Sequence, residues 1–201
     1  MKTSTLSTLL LAGLAAAAPT AKRAEKQAAA IIAAIMPTAD SCAGADFPDE
    51  CRTASQAAPH LIAAMQAYGV YSPGAVSAVL ALVGYESVDM KYKHNVSPGR
   101  EGQGTSNMQM AAFNIEYGQS IPAIGDRAAA AGAAGILALV TDDKYNFGSG
   151  PWFLRNKCDA DVLTGLAAFT DEAFAAYMAC VGVTVDEGRQ AYWDRAKTAW
   201  Q

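Results

Sequence analysis

The sequence predicts a mainly α-helical fold, α-rich throughout, with one small loop or β element. Hydrophobic residues make up 52% of the 201 residues and charged residues 17%, which is ample apolar side chain to fill a core. Much of that share is alanine, in runs such as residues 128–131. Ala-rich segments with few β-branched residues favour helix. Neither an internal repeat nor an interdomain linker divides the chain, so one domain is predicted.

The N-terminus has the pattern of a secretory signal peptide. Residues 1–18 place a basic start, an apolar stretch and small residues in that order. The apolar stretch is too short to span a bilayer, and the alternative interpretation is a mature N-terminal helix. The dibasic pair at 22–23 resembles the processing site of a fungal pro-segment. We therefore expect a secreted protein with a pro-segment at 19–23, a mature domain at 24–201 and no membrane contact.

The four cysteines fit a secreted protein. An even number of cysteines in such a chain suggests two disulfides, for which three connectivities are possible. We favour Cys42–Cys51 and Cys158–Cys180, because each pair closes a short local loop. The chain has two histidines and no Cys-x-x-Cys motif, so we expect neither a metal site nor a cofactor.

Three helices are predicted in the first half of the chain. Residues 24–36 read as helix up to a proline, and residues 53–68 read as a second helix that stops at a glycine. The third helix begins with Ser72 as N-cap and Pro73 at the first helical position. Its apolar residues nearly surround the axis, which is typical of a helix buried on all sides. We expect it to be the central helix of the fold.

The second half begins with a change of character. Residues 91–108 hold glycines, a proline and many polar side chains, so they predict a loop or a short hairpin. Further helices are predicted beyond it, separated by a Gly-rich turn at 148–151, over residues 108–117, 122–141, 159–168, 170–181 and 186–200.

Composition and motifs exclude several classes of function. The net charge is −4, which argues against nucleic acid as a partner, because phosphate binding relies on a basic face. The chain has neither a phosphate-binding P-loop motif nor a Gly-x-Ser-x-Gly nucleophile elbow. The class of function that remains is catalysis by carboxylate side chains.

Glu86 stands out by its position. It follows the apolar helix directly and is flanked by Tyr85 and Val88, so its carboxyl group is expected to be partly desolvated. Desolvation favours the protonated carboxyl that a general acid needs. The alternative is a glutamate that turns outward at a helix end and hydrogen-bonds a loop amide.

Three short motifs occur in an order that resembles a known superfamily. They are Glu86-Ser87, then Gly102-Gln103-Gly104 leading to Asn107-Met108-Gln109, then Tyr145-Asn146-Phe147-Gly148-Ser149-Gly150. This order, spanning residues 80–151, resembles the lysozyme-like superfamily, specifically the goose-type lysozymes and the soluble lytic transglycosylases. With its leader and cysteines, the chain is similar to a fungal secreted form.

The resemblance implies a lysozyme-like fold and a muramidase activity. Such a glycoside hydrolase cleaves the β-1,4 bond between N-acetylmuramic acid and N-acetylglucosamine in peptidoglycan, with Glu86 as general acid. A monomer with a polysaccharide partner is expected, with peptidoglycan as the first choice and chitin as the second. The glycines of the motifs would let backbone approach the polysaccharide. The substrate-binding residues would be Ser87, Asn107, Gln109, Tyr145, Asn146 and, from its place after the last motif, Trp152.

The chain also departs from the family's pattern. Phe147 replaces an alanine, and Ala111 stands where goose-type lysozymes carry an acidic residue. Glu101 is the best replacement for that second carboxylate, and Asp89 is the other choice. There are two alternatives. One is a lytic transglycosylase, which works with one glutamate and forms 1,6-anhydro products. The other is a non-catalytic secreted protein that binds cell walls or acts as an effector. We expect the loops 95–109 and 142–152 on opposite walls of one groove with Glu86 at its floor.

Overall fold

The computed structural model describes residues 17–200, with side chains from residue 20 onward. Residues 1–16, most of the predicted signal peptide, lie outside the described residues. The described part is mainly helical, as predicted, and pairs strands only at two isolated β-bridges, His94 with Gly104 and Gly104 with Gln109. The helices are α1 Ala17–Ile35, α2 Ala54–Ala67, α3 Pro73–Glu86, α4 Ala111–Gln119, α5 Gly125–Val140, α6 Asp143–Asn146, α7 Ser149–Asn156, α8 Ala160–Gly165, a 3-10 turn Leu166–Ala168, α9 Asp171–Cys180 and α10 Glu187–Thr198.

Helix α3 is the centre of the fold, as its apolar pattern predicts. The Ser72 hydroxyl accepts a hydrogen bond from the backbone N–H of Ala75, and Pro73 occupies the first turn. Every residue from 77 to 84 is buried. Helix α10 packs directly on α3 at Gly84, where an added Cβ would lie 2.6 Å from the Tyr192 ring.

Two apolar clusters make up the core. The larger one surrounds α3 and includes Trp193, whose ring stacks on Phe174 with centroids 4.6 Å apart. The smaller one joins α4, α5 and α7, and in it the Tyr117 and Trp152 ring centroids are 5.4 Å apart. Leu82 of the larger cluster and Phe153 of the smaller one both line a cleft at the C-terminal end of α3.

Three predicted elements differ from the observed ones. Helix α1 begins at Ala17 and continues through residues 19–23, the predicted pro-segment. Helix α5 is interrupted at Gly132, whose φ of 59° is left-handed. The predicted Gly-rich turn at 148–151 is wrong, because α7 begins there. Helix α7 buries three consecutive apolar residues, 152–154, and this burial outweighs the helix-breaking tendency of the glycines before them.

The predicted disulfide pairing is confirmed. Cys42 is bonded to Cys51 and Cys158 to Cys180, with Cα atoms 5.8 and 5.6 Å apart. The second bond joins Cys158, two residues beyond the end of α7, to the last residue of α9, and Cys158 packs against both core clusters. Among the helices of residues 17–200, none combines the length and the apolar character that crossing a membrane requires.

Candidate functional site

A cleft of about 300 Å³ opens at the C-terminal end of α3. Helix α3, the 100–110 loop, α4, α7, the turn after α9 and α10 all contribute side chains to it. Its polar lining residues are Glu86, Arg100, Gln103, Asn107, Gln109 and Arg189. Its apolar lining residues are Leu82, Met108, Met110, Phe113, Phe153, Val181 and Val183.

Glu86 is the last residue of α3 and lies in this cleft. Its Oε1 accepts a hydrogen bond from Nη2 of Arg189 at 2.7 Å, and about a fifth of its side chain is exposed (22%). The carboxyl group is thus partly buried, as predicted, and it is not turned toward a loop amide. Its partner is an arginine 103 residues away along the chain, which the sequence did not indicate.

Arg189 is held on three sides near the start of α10. Its Nη1 donates to Oδ2 of Asp186 at 2.7 Å, and its guanidinium lies 4.3 Å from the ring centroid of Tyr85. The backbone N–H of Arg189 donates to Asp186 as well, and this bond is the main reason that the pKa of Asp186 is lowered. The pKa of Tyr85 is raised, chiefly by burial and then by its hydrogen bond to Asp186. These contacts hold the guanidinium in one place.

The turn that directly follows Glu86 at the end of α3 has a left-handed backbone. Val88, Asp89 and Met90 have φ values of 51°, 57° and 63°, a run that side-chain-bearing residues rarely adopt. The Ser87 hydroxyl donates to the carbonyl of Val83 and accepts from the N–H of Met90. Ser87 is fully buried, so it holds the turn and does not line the cleft, in contrast to the substrate contact predicted for it.

Asp89 also has a supporting position. Its carboxylate accepts hydrogen bonds from the backbone N–H and the hydroxyl of Thr38 and from the hydroxyl of Tyr192. The side chain is buried between the segment after α1 and α10. Asp89 is therefore a link between helices, and not the second carboxylate of a catalytic pair.

A chain of side-chain amides orders the loop wall of the cleft. The Nδ2 group of Asn114 donates to the carbonyls of Gly102 and Gln109, so its Oδ1 must accept, and it does so from Nε2 of Gln109. Nε2 of Gln103 donates to the carbonyl of Met108. These bonds set the orientation of both glutamine amides, and in each the Oε1 atom has no protein partner.

Unpartnered buried polar atoms concentrate at this cleft. Within the described residues, five buried side-chain polar atoms lack a hydrogen-bond partner, and four belong to residues that line the cleft. The four atoms are Gln103 Oε1, Asn107 Oδ1, Gln109 Oε1 and Arg189 Nε. Leaving such a group unsatisfied costs about 1–3 kcal/mol. The four atoms lie beneath the surface of the cleft and are closed off from it, and Asn107 Oδ1 packs toward Gly150, so these atoms do not by themselves mark a ligand.

The 142–152 segment lies behind the loop wall and does not face it across the cleft. The Asn146 side chain accepts from the N–H of Ser106 and donates to the Ser106 hydroxyl, at 3.0 and 2.6 Å. The Thr105 and Ser149 hydroxyl oxygens are 2.7 Å apart. The predicted arrangement of two opposite loops is therefore wrong, and Arg189 and Val183 lie where the second loop was expected.

The motif glycines approach other parts of the protein. An added Cβ on Gly104 would overlap the carbonyl oxygen of Lys93, and one on Gly148 would overlap the hydroxyl of Tyr117. Only glycine allows these contacts. These glycines were predicted to let a polysaccharide approach the backbone, whereas in the structure they allow loop and helix to pack closely.

Three further predicted residues do not line the cleft. The backbone carbonyl of Tyr145 accepts from the Tyr117 hydroxyl, and its ring lies under Lys144. Trp152 is 4% exposed within the smaller core cluster. Glu101 is exposed on a turn of the loop. Of the predicted site residues, the structure brings together Glu86, Asn107 and Gln109.

Sequence reasoning missed Arg189, Gln103 and Phe113, which all line the cleft. Gln103 sits inside a recognised motif, but only the amide network reveals its unpartnered oxygen. Arg189 has only a local signal, an Asp186-x-x-Arg189 spacing typical of a helix start. Within the described part of the chain, no three His, Cys, Asp or Glu side chains gather as a metal site would require.

Comparison with known proteins gives one informative match. No protein-family model matches the chain, and no solved structure matches it. The chain is 41% identical over 174 residues to a Fusarium oxysporum (strain Fo5176) protein named bifunctional dioxygenase (DOX)-epoxy alcohol synthase (EAS). The match covers 79% of this chain and 13% of that protein, so the chain spans a small part of its relative's length.

This similarity overturns the predicted activity. The relative is named as a dioxygenase and epoxy alcohol synthase, and not as a muramidase or lytic transglycosylase. The predictions of a glycoside hydrolase and of peptidoglycan cleavage with Glu86 as its acid are therefore wrong. The motifs behind them have structural explanations in this chain: Ser87 holds a turn, Asn146 holds a loop, and the glycines pack against protein.

Proposed function

We propose that this chain is a ligand-binding unit that serves an oxygenase of the dioxygenase–epoxy alcohol synthase type by binding an epoxy alcohol in the cleft beside Glu86 and Arg189. The observation that carries this proposal is a cleft whose lining combines two arginines, a glutamate and three side-chain amides with seven apolar side chains. Such a cleft suits a ligand with an apolar body and a few hydrogen-bonding groups.

The polar side chains of the lining suit an epoxy alcohol in kind. One of the side-chain amides on Gln103, Asn107 and Gln109 would accept the hydroxyl proton of the ligand. A guanidinium of the lining, that of Arg100 or Arg189, would donate to the epoxide oxygen.

The apolar groups of the cleft would bind the hydrocarbon part. Phe113 and Phe153 pack edge to face with centroids 4.9 Å apart and form one end of the lining. Met108 and Met110 lie on the loop wall, and Met110 is 43% exposed. Methionine adapts to irregular apolar ligands because its side chain is flexible and polarizable.

The relative supplies the chemical class of the ligand. Its name combines a dioxygenase with an epoxy alcohol synthase, so an epoxy alcohol is the product that its name states. The chain corresponds to 13% of that protein, which supports a binding role beside the oxygenase chemistry.

The proposal is tested by calorimetric titration of the purified chain. The probes are a medium-chain aliphatic epoxy alcohol, the alkane of the same length, and a chitin oligosaccharide. We expect saturable binding of the epoxy alcohol and at least about tenfold weaker binding of the alkane, because the alkane forms no hydrogen bond with the polar side chains of the lining.

Asn107→Ala is the matching variant. It removes one side-chain amide of the lining without breaking a recorded side-chain hydrogen bond, so affinity should fall about tenfold while stability is kept. Asn156→Ala is the control, because Asn156 donates to the carbonyl of Trp152 and lies outside the cleft. Failure of the epoxy alcohol to bind, or equal affinity of both variants, would overturn the proposal.

A neutral polysaccharide is the second candidate ligand. Asn107 and Gln109, which the sequence assigned to sugar binding, do line the cleft, and their side-chain amides could bond sugar hydroxyl or acetamido groups. Binding of the chitin oligosaccharide in place of the epoxy alcohol would favour this candidate.

We also propose a lysozyme-like arrangement and secretion for this chain. The position of Glu86 at the end of a buried helix, beside Asn107 and Gln109, supports the first. The two disulfides support the second, because such bonds persist in oxidising compartments. N-terminal sequencing of the protein recovered from culture medium tests secretion and the start near residue 24.

A further inference from the structure

We propose that the disulfide-closed loop, residues 42–51, positions the loop wall of the cleft, residues 100–110, and that Glu50 is the positioning residue through which it acts. This inference rests on the proposed function for its ligand and adds what sets the affinity of the cleft from outside its lining. Glu50 does not line the cleft, so its effect on a ligand passes through the segment that its carboxylate holds.

The disulfide-closed loop contributes little to the core. Among residues 42–51, only Cys51 is buried. Its internal backbone bonds are short turns, in which the N–H groups of Ala45 and Glu50 each donate to a carbonyl three residues earlier. A segment with so few internal bonds and so little buried surface depends on its disulfide and its outside contacts for a fixed shape.

The outside contacts of this loop are concentrated on residues 92–94. Among the described residues, its side-chain hydrogen bonds and ring contacts beyond residue 52 all go to those three residues. Oε2 of Glu50 accepts from the backbone N–H of Lys93, and Oε1 lies 2.6 Å from Nδ1 of His94. Phe47 packs edge to face on the imidazole with ring centroids 4.8 Å apart. Glu50 thus holds two consecutive residues with its two oxygens.

The segment that Glu50 holds is paired with the loop wall. The carbonyl of Lys93 accepts from the backbone N–H of Thr105 at 2.8 Å. The backbone N–H of Asn95 donates to the carbonyl of Gln103 at 3.0 Å. The isolated β-bridge to Gly104 lies between these two bonds. The carboxylate of Glu50 is therefore one residue away from the hydrogen bonds that fix this side of the wall.

The pairing reaches side chains that line the cleft. The backbone N–H of Gly104 donates to the carbonyl of Gln109 at 3.1 Å, and Nε2 of Gln103 donates to the carbonyl of Met108 at 2.9 Å. Gln103, Met108 and Gln109 all line the cleft. When Glu50 loses its bonds, these side chains lose one of the supports that hold them in place. A ligand then has to order the wall on binding, which lowers its affinity.

Amide hydrogen exchange tests the positioning directly. In Glu50→Ala, the backbone N–H groups of Asn95 and Thr105 should exchange at least about tenfold faster, which is the effect of losing one hydrogen bond to a charged group. Asp171→Asn is the control, because Asp171 links α9 to α10 through Trp193 and Lys197. Local opening of the wall breaks neither of those bonds, so this variant should leave both exchange rates unchanged.

Calorimetric titration with the epoxy alcohol tests the consequence for the ligand. Glu50→Ala should bind it about fivefold more weakly, whereas Asp171→Asn should keep the wild-type affinity. A glutamate that only stabilised the fold would leave the affinity unchanged. Glu50→Gln should restore most of the affinity, because its amide oxygen accepts from the Lys93 N–H and its amide nitrogen donates to the other tautomer of His94.

Replacing both cysteines of the loop is a second, independent perturbation. Cys42→Ser combined with Cys51→Ser opens the loop and keeps Glu50. It should also speed exchange at Asn95 and Thr105 and weaken binding of the epoxy alcohol, because the open loop no longer holds the carboxylate in place. This double variant decides the question if Glu50→Ala fails to fold.

The outcomes separate this inference from the proposed function. If the two N–H groups exchange equally fast in wild type and Glu50→Ala, or Asp171→Asn speeds them as much, the inference is wrong whatever the cleft binds. Faster exchange with an unchanged affinity for the epoxy alcohol also overturns it and leaves the proposed function standing. If wild type binds no epoxy alcohol, the proposed function fails, and the exchange rates alone decide whether Glu50 positions the wall.

Discussion

Asp89 links three separate segments of the chain, and its removal should be unusually costly. Its Oδ2 accepts from the backbone N–H of Thr38 at 2.9 Å and from the Thr38 hydroxyl at 2.7 Å. Its Oδ1 accepts from the Tyr192 hydroxyl at 2.6 Å. Asp89 is 4% exposed, with a left-handed φ of 57°. Asp89→Ala removes the connection of the α1 end and of α10 to the turn after α3.

The expected loss of stability follows from these contacts. A hydrogen bond to a charged group contributes roughly 1.5–3 kcal/mol. Thr38 is exposed, so its donors can bond to water after the substitution, and only the Tyr192 bond counts in full. Alanine also tolerates a left-handed φ less well than aspartate, which adds about 1 kcal/mol. We expect a fall of about 2.5–4 kcal/mol in the free energy of unfolding.

Urea unfolding followed by circular dichroism measures this change. Asp46→Ala is the matched control, because Asp46 also accepts from a tyrosine hydroxyl, that of Tyr92 at 2.6 Å, but at an exposed site. The control should lose less than about 1 kcal/mol. If Asp89→Ala loses no more than the control, the argument that Asp89 joins these segments is refuted.

Two more predictions concern packing and pH. Gly104→Ala should lower the free energy of unfolding by about 2–3 kcal/mol, because its Cβ would overlap the carbonyl oxygen of Lys93. The control Gly165→Ala has open space around the new Cβ and should be neutral or stabilising. Equal losses of stability in the two variants would contradict this prediction. Burial raises the pKa of Asp143, but hydrogen bonds from Lys93 and Arg52 outweigh burial and lower it. The contribution of Asp143 to the free energy of unfolding is therefore present above about pH 4 and is lost as the pH falls further. Asp143→Asn should thus make stability depend less on pH in the acid range. An unchanged slope of stability against pH in that range would contradict this prediction.

The sequence by itself determined the elements whose signals are local. Ser72 and Pro73 mark the start of α3 because a cap and a first-turn proline act within a few residues. Thr170 caps α9 in the same way. The two disulfides were predictable because each closes a short loop. Each of these features depends on neighbours along the chain.

The roles of several motif residues depend on partners that are distant along the chain. Glu86, Asn107 and Gln109 were found by their order, and the structure does place them in one cleft. Their order carried no information about the partners that define their chemistry. Ser87 and Asn146, equally prominent in the motifs, bond to the protein's own backbone and loop.

Only the tertiary structure decided what the cleft can bind. The packing of α10 on α3 brings Arg189 to Glu86 across 103 residues and turns a candidate acid into an ion pair. The amide chain through Asn114 leaves the oxygen of Gln109 without a partner. Whether a polar group has a hydrogen-bond partner depends on which side chains come into contact after folding. Residues distant along the chain come into contact because the apolar faces of their helices pack together.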